Sequence, residues 1–183
     1  MTDMTSDDET VILVDEGDRE IGLAPKLAAH QSGWRHRAIS VCIVDGAGRM
    51  LLQRRADGKY HSGGLWTNAC CTHPRLGEPA DQTARRRLQE ELGIACALKF
   101  VARTHYRAPV GGGLIEDEIV HLFVGDYHGE ASPDPAEVSE VAWRTYDELV
   151  SDIAARPDSY TYWFRYYMTS FDRKLFEAPL SAA

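Results

Sequence analysis

A thiol, an imidazole and several carboxylates come close together in the middle of this chain. Cys71 and His73 are two residues apart, and Glu78 and Glu91 follow shortly after. A thiol and a carboxylic acid can add a proton at one atom of a substrate and remove one from another, so this stretch is a candidate for acid–base catalysis. The simpler alternative, that a free cysteine is a small buried hydrophobic residue, is what we expect for Cys70, which faces the other way in an extended chain.

A second set of candidate ligands is dispersed along the sequence. Glu116 and Glu118 are two residues apart and point from the same face of an extended segment, although an acidic loop is the simpler interpretation of them alone. His30, His36 and His73 could supply imidazoles to the same point. Five nitrogen and oxygen ligands suit a roughly octahedral Mn²⁺ or Mg²⁺, or a Zn²⁺ with expanded coordination.

The segment from Glu78 to Ile94 has the spacing of the Nudix signature. It departs from that signature at two positions, because Thr72 stands at the first glycine and Arg87 at the first glutamate of the REUxEExGU part. A magnesium-dependent diphosphate hydrolase would normally keep this glutamate. A cation in its place turns a metal ligand into a phosphate-binding residue, which points away from hydrolysis. The matching residues are Glu78, Arg86, Leu88, Glu90, Glu91, Gly93 and Ile94.

Residues 66–74, just ahead of this box, read WTNACCTHP. Together the two segments resemble the type 1 isopentenyl diphosphate isomerases, a Nudix-fold branch that isomerises its diphosphate ester, and the resemblance extends from about Lys26 to Trp163. It implies the interconversion of isopentenyl and dimethylallyl diphosphate in isoprenoid biosynthesis, through a carbocation formed by protonation and lost by deprotonation. It also implies an α/β fold, a Nudix-like α/β/α sandwich with a mixed sheet and a central box helix.

The resemblance assigns roles to residues that are unremarkable by themselves. Cys71 would be the thiol acid or base, and Glu118, with Tyr106 hydrogen-bonded nearby, would act on the other side of the alkene. Trp163 would turn its indole face to the carbocation, because an aromatic face stabilises a cation without attacking it. Without the resemblance, Tyr106 is an ordinary strand aromatic and Trp163 belongs to an aromatic helix stripe.

Two metal positions and a diphosphate site follow from the same resemblance. The first metal position has one departure, since His30 and His36 are six residues apart, one fewer than in some members. Its implied ligands are His30, His36, His73, Glu116 and Glu118. The second, a Mg²⁺ bound with the diphosphate, would be held by Glu91 and the backbone carbonyl of Cys71. On spacing alone, Glu91 could instead pair with an arginine four residues earlier on a solvated helix face. The cations implied around the diphosphate are Lys26, Arg55, Lys59 and Arg87.

Hydrophobic periodicity and turn residues predict one domain, residues 10–179, between an acidic tail at 1–9 and a short tail at 180–183. A hairpin is expected around residues 45–48, and the spacing of Ala80, Ala84, Leu88 and Leu92 predicts an amphipathic helix that ends at Gly93. The predicted strands are 11–14, 38–44, 49–55, 98–103, 119–127 and 138–144. The predicted helices are 79–92, 146–155 and 159–176, with a single helical turn or loop at 26–30.

Bulk composition excludes several classes of protein. The chain has 183 residues, 44% of them hydrophobic, and a net charge of −8, which argues against a nucleic-acid partner. No apolar run approaches the ~20 residues of a membrane span. Its four cysteines form no disulfide or metal pattern, so we expect a reducing cytoplasm. We also expect a monomer and no organic cofactor. The functional alternatives are a Nudix diphosphate hydrolase and a non-catalytic module that binds a phosphorylated ligand.

Overall fold

The computed structural model describes residues 9–177, in which a nine-stranded mixed sheet lies between two layers of helices. The strands are β1 Thr10–Val14, β2 Glu20–Pro25, β3 His36–Val44, β4 Arg49–Arg55, β5 Trp66–Asn68, β6 Cys70–Thr72, β7 Leu98–Gly111, β8 Leu114–Asp126 and β9 Val138–Thr145. The order across the sheet is β2, β1, β3, β4 and β5, while β6 and β8 pair with β3, β7 with β8, and β9 with β4. The helices are α1 Lys26–Ser32, α2 Ala80–Leu92, α3 Tyr146–Ala155, α4 Tyr162–Ser170 and α5 Lys174–Glu177.

Each face of the sheet packs against its own helices, which confirms the predicted α/β sandwich. On one face, Leu88 and Leu92 of α2 pack with Val41 of β3. On the other, Trp163 and Phe164 of α4 belong to a separate apolar cluster with strand residues of β3, β7 and β8. The alternation of side chains along each strand separates the two cores, because successive residues point to opposite faces. None of the helices among residues 9–177 is long and apolar enough to cross a membrane.

The sheet opens between β3 and β4. These strands pair at their turn end, where Ile43 faces Leu51. Further along, β4 pairs with β5 and β3 pairs with β6, so the short β5–β6 segment lies between the two diverging strands. The opening leaves room for a cavity within the sheet, and β6 carries Cys71 into it.

Local signals predicted several elements correctly. β4 and α3 have the predicted bounds, and Gly93 ends α2 in the left-handed conformation at φ 66°, as expected for a C-terminal glycine. α2 begins at Ala80, because Pro79 occupies its N-cap position. The predicted helical turn at residues 26–30 is the start of α1.

Other predictions were too short or wrong. β7 and β8 form one long antiparallel hairpin that turns at Gly112 and Gly113, so Glu116 lies in a strand and not in an acidic loop. The predicted single helix at 159–176 is two helices, since Phe171 adopts an extended conformation. Sequence patterns also missed β2. Residues 1–8 of the tail predicted at 1–9, and the tail predicted at 180–183, lie outside the described residues. Glu9, the last residue of the first predicted tail, is described and pairs with Lys26 at 2.7 Å.

Candidate active site

Three strands align the first group of functional side chains. His36 of β3 lies opposite Glu118 in the parallel β3–β8 pair, and Tyr106 of β7 lies opposite Glu118 in the antiparallel β7–β8 pair. Paired residues point to the same face of a sheet, and Glu116, two positions before Glu118, shares that face. The sheet therefore brings an imidazole, a phenol and two carboxylates together on the side that faces α4.

Two of the imidazoles are oriented by backbone carbonyls. His30 Nδ1 lies 2.8 Å from the carbonyl oxygen of Lys26, and His36 Nδ1 lies 2.8 Å from that of Trp34. In each ring this bond engages Nδ1 and leaves Nε2 as the nitrogen able to bind a metal. His36 is fully buried, and its Nε2 has no hydrogen-bond partner.

The ligand atoms of His30, His36, His73 and Glu118 all lie within 4.8 Å of one another. His73 Nε2 is 3.0 Å from Glu118 Oε1, and His36 Nε2 is 3.3 Å from the same oxygen. Burial and the neighbouring imidazoles lower the pKa of His30 to about 3, so this ring is neutral near pH 7, and its Nε2 lies 3.1 Å from the Tyr60 hydroxyl. The unpartnered Nε2 of His36, the imidazoles of His30 and His73 and the Glu118 carboxylate form a donor set that fits a divalent metal ion.

Glu116 belongs to a second group, with His30 and His61. Tyr106 connects this group to the first, because its phenol oxygen lies 2.7 Å from both Glu116 Oε2 and Glu118 Oε2. Burial raises the pKa of Glu116 and the adjacent Glu118 raises it further. Burial acts on Glu118 in the same direction, but the neighbouring imidazoles of His36 and His73 outweigh it and hold the pKa of Glu118 below its ordinary value.

The adjacent cysteines face opposite sides of β6, as predicted. Cys70 is fully buried in the core under α2, with its Sγ 3.5 Å from Glu91 Oε1. Cys71 lines the cavity, where its Sγ lies 2.8 Å from Ser40 Oγ and 3.2 Å from Asn68 Oδ1. Burial raises the pKa of Cys71 to about 12, although its two hydrogen-bond partners act in the opposite direction.

One cavity of about 320 Å³ joins these groups to the predicted diphosphate ligands. Its lining includes Cys71, His73, Glu91, Tyr106, Glu116, Glu118, Trp163 and the four cations Lys26, Arg55, Lys59 and Arg87. His30 and His36 are not part of the lining and lie behind it. The structure thus places each predicted site residue in or against one cavity.

Acidic side chains already neutralise most of the cavity cations. Lys26 pairs with Glu9, and Lys59 pairs with Glu137. Glu137 also lies 3.3 Å from Arg87. A diphosphate that enters the cavity would therefore compete with two carboxylates for these cations.

Arg87 is the principal partner of Glu91. Its Nη2 donates to Glu91 Oε1 at 2.7 Å, and Gln53 Nε2 donates to Glu91 Oε2 at 3.2 Å. Burial raises the pKa of Glu91, and Arg87 opposes that shift. Because Glu91 is only 4% exposed, the alternative of pairing on a solvated helix face does not apply to it.

Trp163 is 2% exposed, and its indole lies against two polar groups of the site. The Arg55 guanidinium stands 5.4 Å from the ring centroid, and the His61 ring meets the indole edge-on at 6.0 Å. Arg55 is the last residue of β4, and His61 lies in the connection between β4 and β5. α4 packs against the sheet, and through Trp163 it also brings an aromatic wall to the cavity.

Several cavity residues were missed at the level of sequence. Glu9, Tyr60, His61 and Glu137 lie outside regular elements, where no periodicity marks which side chains turn inward. The available signal for His61 was its position between His36 and His73, in a chain whose other candidate ligands were also histidines.

Comparison with known proteins agrees with this geometry. A NUDIX domain model matches residues 34–164. Isopentenyl-diphosphate Delta-isomerase 2 of Aromatoleum aromaticum is 49% identical over 156 residues, covering 85% of this chain and 82% of the relative. Isopentenyl-diphosphate Delta-isomerase of Burkholderia multivorans is 48% identical over 157 residues, covering 86% of this chain and 89% of the relative.

Solved structures agree on the fold. DR0079 from Deinococcus radiodurans superposes with a TM-score of 0.68 at 18% identity, covering 80% of this chain and 90% of that one. The MutT protein of Methanosarcina mazei Go1 gives 0.64 at 18% identity, covering 76% and 94%. At such identities the likeness concerns the fold alone, whereas the sequence relatives extend over most of both chains. This chain therefore belongs to the isopentenyl-diphosphate Delta-isomerase family, within the NUDIX domain proteins.

Proposed function

We propose that this protein interconverts isopentenyl and dimethylallyl diphosphate by moving a proton onto one carbon of the alkene and removing one from another. The observation that carries the proposal is the placement of Cys71 and the Tyr106–Glu118 pair around one cavity. Cys71 lies on β6 and Glu118 on β8, the strands that flank β3 on its two sides. Acid and base groups can then reach a bound alkene from different directions.

The proton balance of the reaction requires one group in its acid form and the other in its base form. In each turnover either Cys71 or Glu118 gives a proton to one carbon while the other takes a proton from the second carbon. The two groups exchange protonation states, which makes the reaction reversible without a redox cofactor. Tyr106 donates to the Glu118 carboxylate and holds it towards the cavity.

A carbocation between the two proton transfers must be kept from water. Trp163 is buried beside the site, and its π-face offers electrostatic stabilisation without a nucleophilic atom. Lys26, Arg55, Lys59 and Arg87 bind the diphosphate in this proposal, after it displaces Glu9 and Glu137 from three of them.

Divalent metal ions complete the proposed site. The donor set of His30, His36, His73, Glu116 and Glu118 fits Mn²⁺, Zn²⁺ or Mg²⁺, and Glu91, with the Cys71 carbonyl, would hold Mg²⁺ with the substrate. When bound, such ions neutralise the charge of carboxylates and diphosphate. Backbone carbonyls orient two of the proposed metal-binding side chains, because they hold the rings of His30 and His36.

The hydrolase alternative requires an activated water and a fuller set of box carboxylates. Arg87 occupies the first glutamate position of the box and binds Glu91, so a carboxylate is missing where a hydrolase would use one. Since all the named residues come from one chain, we propose a monomer. A catalytic thiol must stay reduced, which fits a cytoplasmic enzyme.

Solvent proton exchange tests the proposal. Incubated in deuterated water with isopentenyl diphosphate and Mg²⁺, the protein should place deuterium on carbon, form dimethylallyl diphosphate and release no phosphate, as read by NMR and a phosphate assay. The Cys71→Ala variant serves as the matched control and should neither place deuterium on carbon nor form dimethylallyl diphosphate. Release of phosphate at a rate comparable to deuterium exchange would show that the protein is a hydrolase and would overturn the proposed isomerase function.

A further inference from the structure

His61 is a buried imidazole without a part in the reaction described above. It lies in the connection between β4 and β5, is 8% exposed, and lines the same cavity as Glu116. The backbone carbonyl of His61 accepts a hydrogen bond from Arg55 Nη2 at 3.2 Å. The Trp163 indole packs edge-on against the ring. These contacts hold the imidazole in place, so its orientation is a property of the folded chain.

The orientation of His61 is that of a metal ligand. Its Nδ1 lies 3.1 Å from Ser62 Oγ, which leaves Nε2 to point inwards, the pattern already found in His30 and His36. His61 Nε2 is 3.3 Å from Glu116 Oε1, longer than most N–H···O hydrogen bonds. His36 Nε2 and Glu118 Oε1 are separated by the same 3.3 Å. Each of these nitrogen–oxygen pairs thus stands at a spacing suited to two neighbouring ligands of an ion.

His30 connects the two pairs. Its ligand atom lies within 4.8 Å of the atoms in both groups, one containing His36, His73 and Glu118 and the other containing His61 and Glu116. Because His30 Nδ1 is bound to a backbone carbonyl, only Nε2 can bind a metal, so His30 can serve a single ion.

We infer that His61 is a further ligand of the histidine–glutamate metal site, next to Glu116 and on the cavity side of the ion. This inference rests on the proposed function for the existence of that site. With the five ligands implied by the family resemblance, His61 fills a sixth position, which suits octahedral Mn²⁺. It also links the ion to the Arg55 segment, so that metal binding orders one of the proposed diphosphate ligands.

Counting the bound imidazoles tests the inference without reference to activity. The wild-type protein, labelled with ¹⁵N-histidine and loaded with Mn²⁺, is measured by pulsed electron paramagnetic resonance, in which the nitrogen modulation depth reports the number of bound rings. The His61→Ala variant should lose one imidazole and bind Mn²⁺ about tenfold or more weakly. The His128→Ala variant is the control, because it removes a 64% exposed imidazole outside the site and should change neither value.

The outcomes separate this inference from the proposed function. An imidazole count in His61→Ala equal to that of the wild type, with Mn²⁺ still bound, would overturn the role of His61 and leave the isomerase proposal intact. Absence of bound Mn²⁺ in the wild type would overturn the metal site itself. If His61→Ala fails to fold, the number of imidazoles bound to Mn²⁺ in the wild-type protein still tests the inference. That number exceeds the three supplied by His30, His36 and His73 only when His61 is also bound.

Discussion

Tyr106 lies directly opposite Glu118 across the β7–β8 pair, and its phenol donates to Glu118 Oε2 at 2.7 Å. The register of the hairpin creates this contact, since a shift of one residue would turn Tyr106 to the other face of the sheet. The same phenol reaches Glu116 Oε2 at 2.7 Å. Tyr106 is thus the side chain that joins the two carboxylates of the site.

We expect Tyr106→Phe to lower kcat by about 10²- to 10⁴-fold, the usual range for loss of a group engaged in proton transfer. Tyr166→Phe is the matched control, because the Tyr166 phenol pairs with Thr104 Oγ1 at 2.7 Å and contacts neither carboxylate. Steady-state kinetics on both variants, with thermal melts to verify folding, make the comparison. Equal rates in the two variants would show that the phenol only packs.

The adjacent cysteines provide an internal control for the catalytic thiol. Cys71→Ala should abolish nearly all turnover with the fold retained, because Cys71 lines the cavity. Cys70→Ala should keep most activity and cost about 1 kcal/mol of stability, since it removes a small group from the packed core under α2. Turnover and urea unfolding measure the two effects. The reverse pattern of activity would place the catalytic thiol at Cys70.

Substitutions at Trp163 separate cation stabilisation from packing. A desolvated cation–π contact is worth roughly 2 kcal/mol, so Trp163→Leu should lower kcat about 30-fold while changing KM less. Trp163→Phe keeps a weaker π-face and should fall between wild type and Leu. The kinetic order is read together with melting temperatures. Equal rates for Phe and Leu, with both variants destabilised, would assign Trp163 to the core alone.

The Arg87–Glu91 pair should couple strongly in stability. Arg87→Met leaves the buried Glu91 carboxylate without its cation, which costs roughly 3–5 kcal/mol. Adding Glu91→Gln removes the unpaired charge and should recover a substantial part of that loss. A double-mutant cycle by urea denaturation measures the coupling. Arg85→Met is the control, because Arg85 pairs with Asp81 on the exposed face of α2 and should behave additively with Glu91→Gln.

The contacts of Glu78 predict how the stability of the protein depends on pH under acidic conditions. Hydrogen bonds from Arg86, at 2.6 and 2.8 Å, hold the pKa of Glu78 near 2, below its ordinary value of 4.5. A carboxylate with a depressed folded-state pKa contributes stability that is complete above the unfolded pKa and is lost as pH falls through the folded one. Glu78→Gln should therefore flatten the stability profile between pH 4.5 and about 2. Parallel melting curves for wild type and variant across this window would contradict the assignment.

Local sequence patterns determined much of this protein. The period of two along an extended chain predicted that Cys70 and Cys71 face opposite ways, and turn residues with helical periodicity predicted β4 and α3 to the residue. These features depend on neighbours in the chain, whose preferences act before any long-range contact forms. The Nudix spacing and WTNxxCxHP segment likewise identified the family, because both are contiguous.

The tertiary structure decided what depends on pairing between distant segments. β8 extends through Glu116 because β7 pairs along its whole length, and nothing adjacent to Glu116 in sequence requires a strand. The opening between β3 and β4 determines where the cavity lies, and loop residues such as His61 and Glu137 turn into it. Loop side chains follow no period, so their direction is set only when the strands they connect are packed. The position of His61 in the cavity and the neutralised cations of the cavity are therefore properties of the assembled sheet.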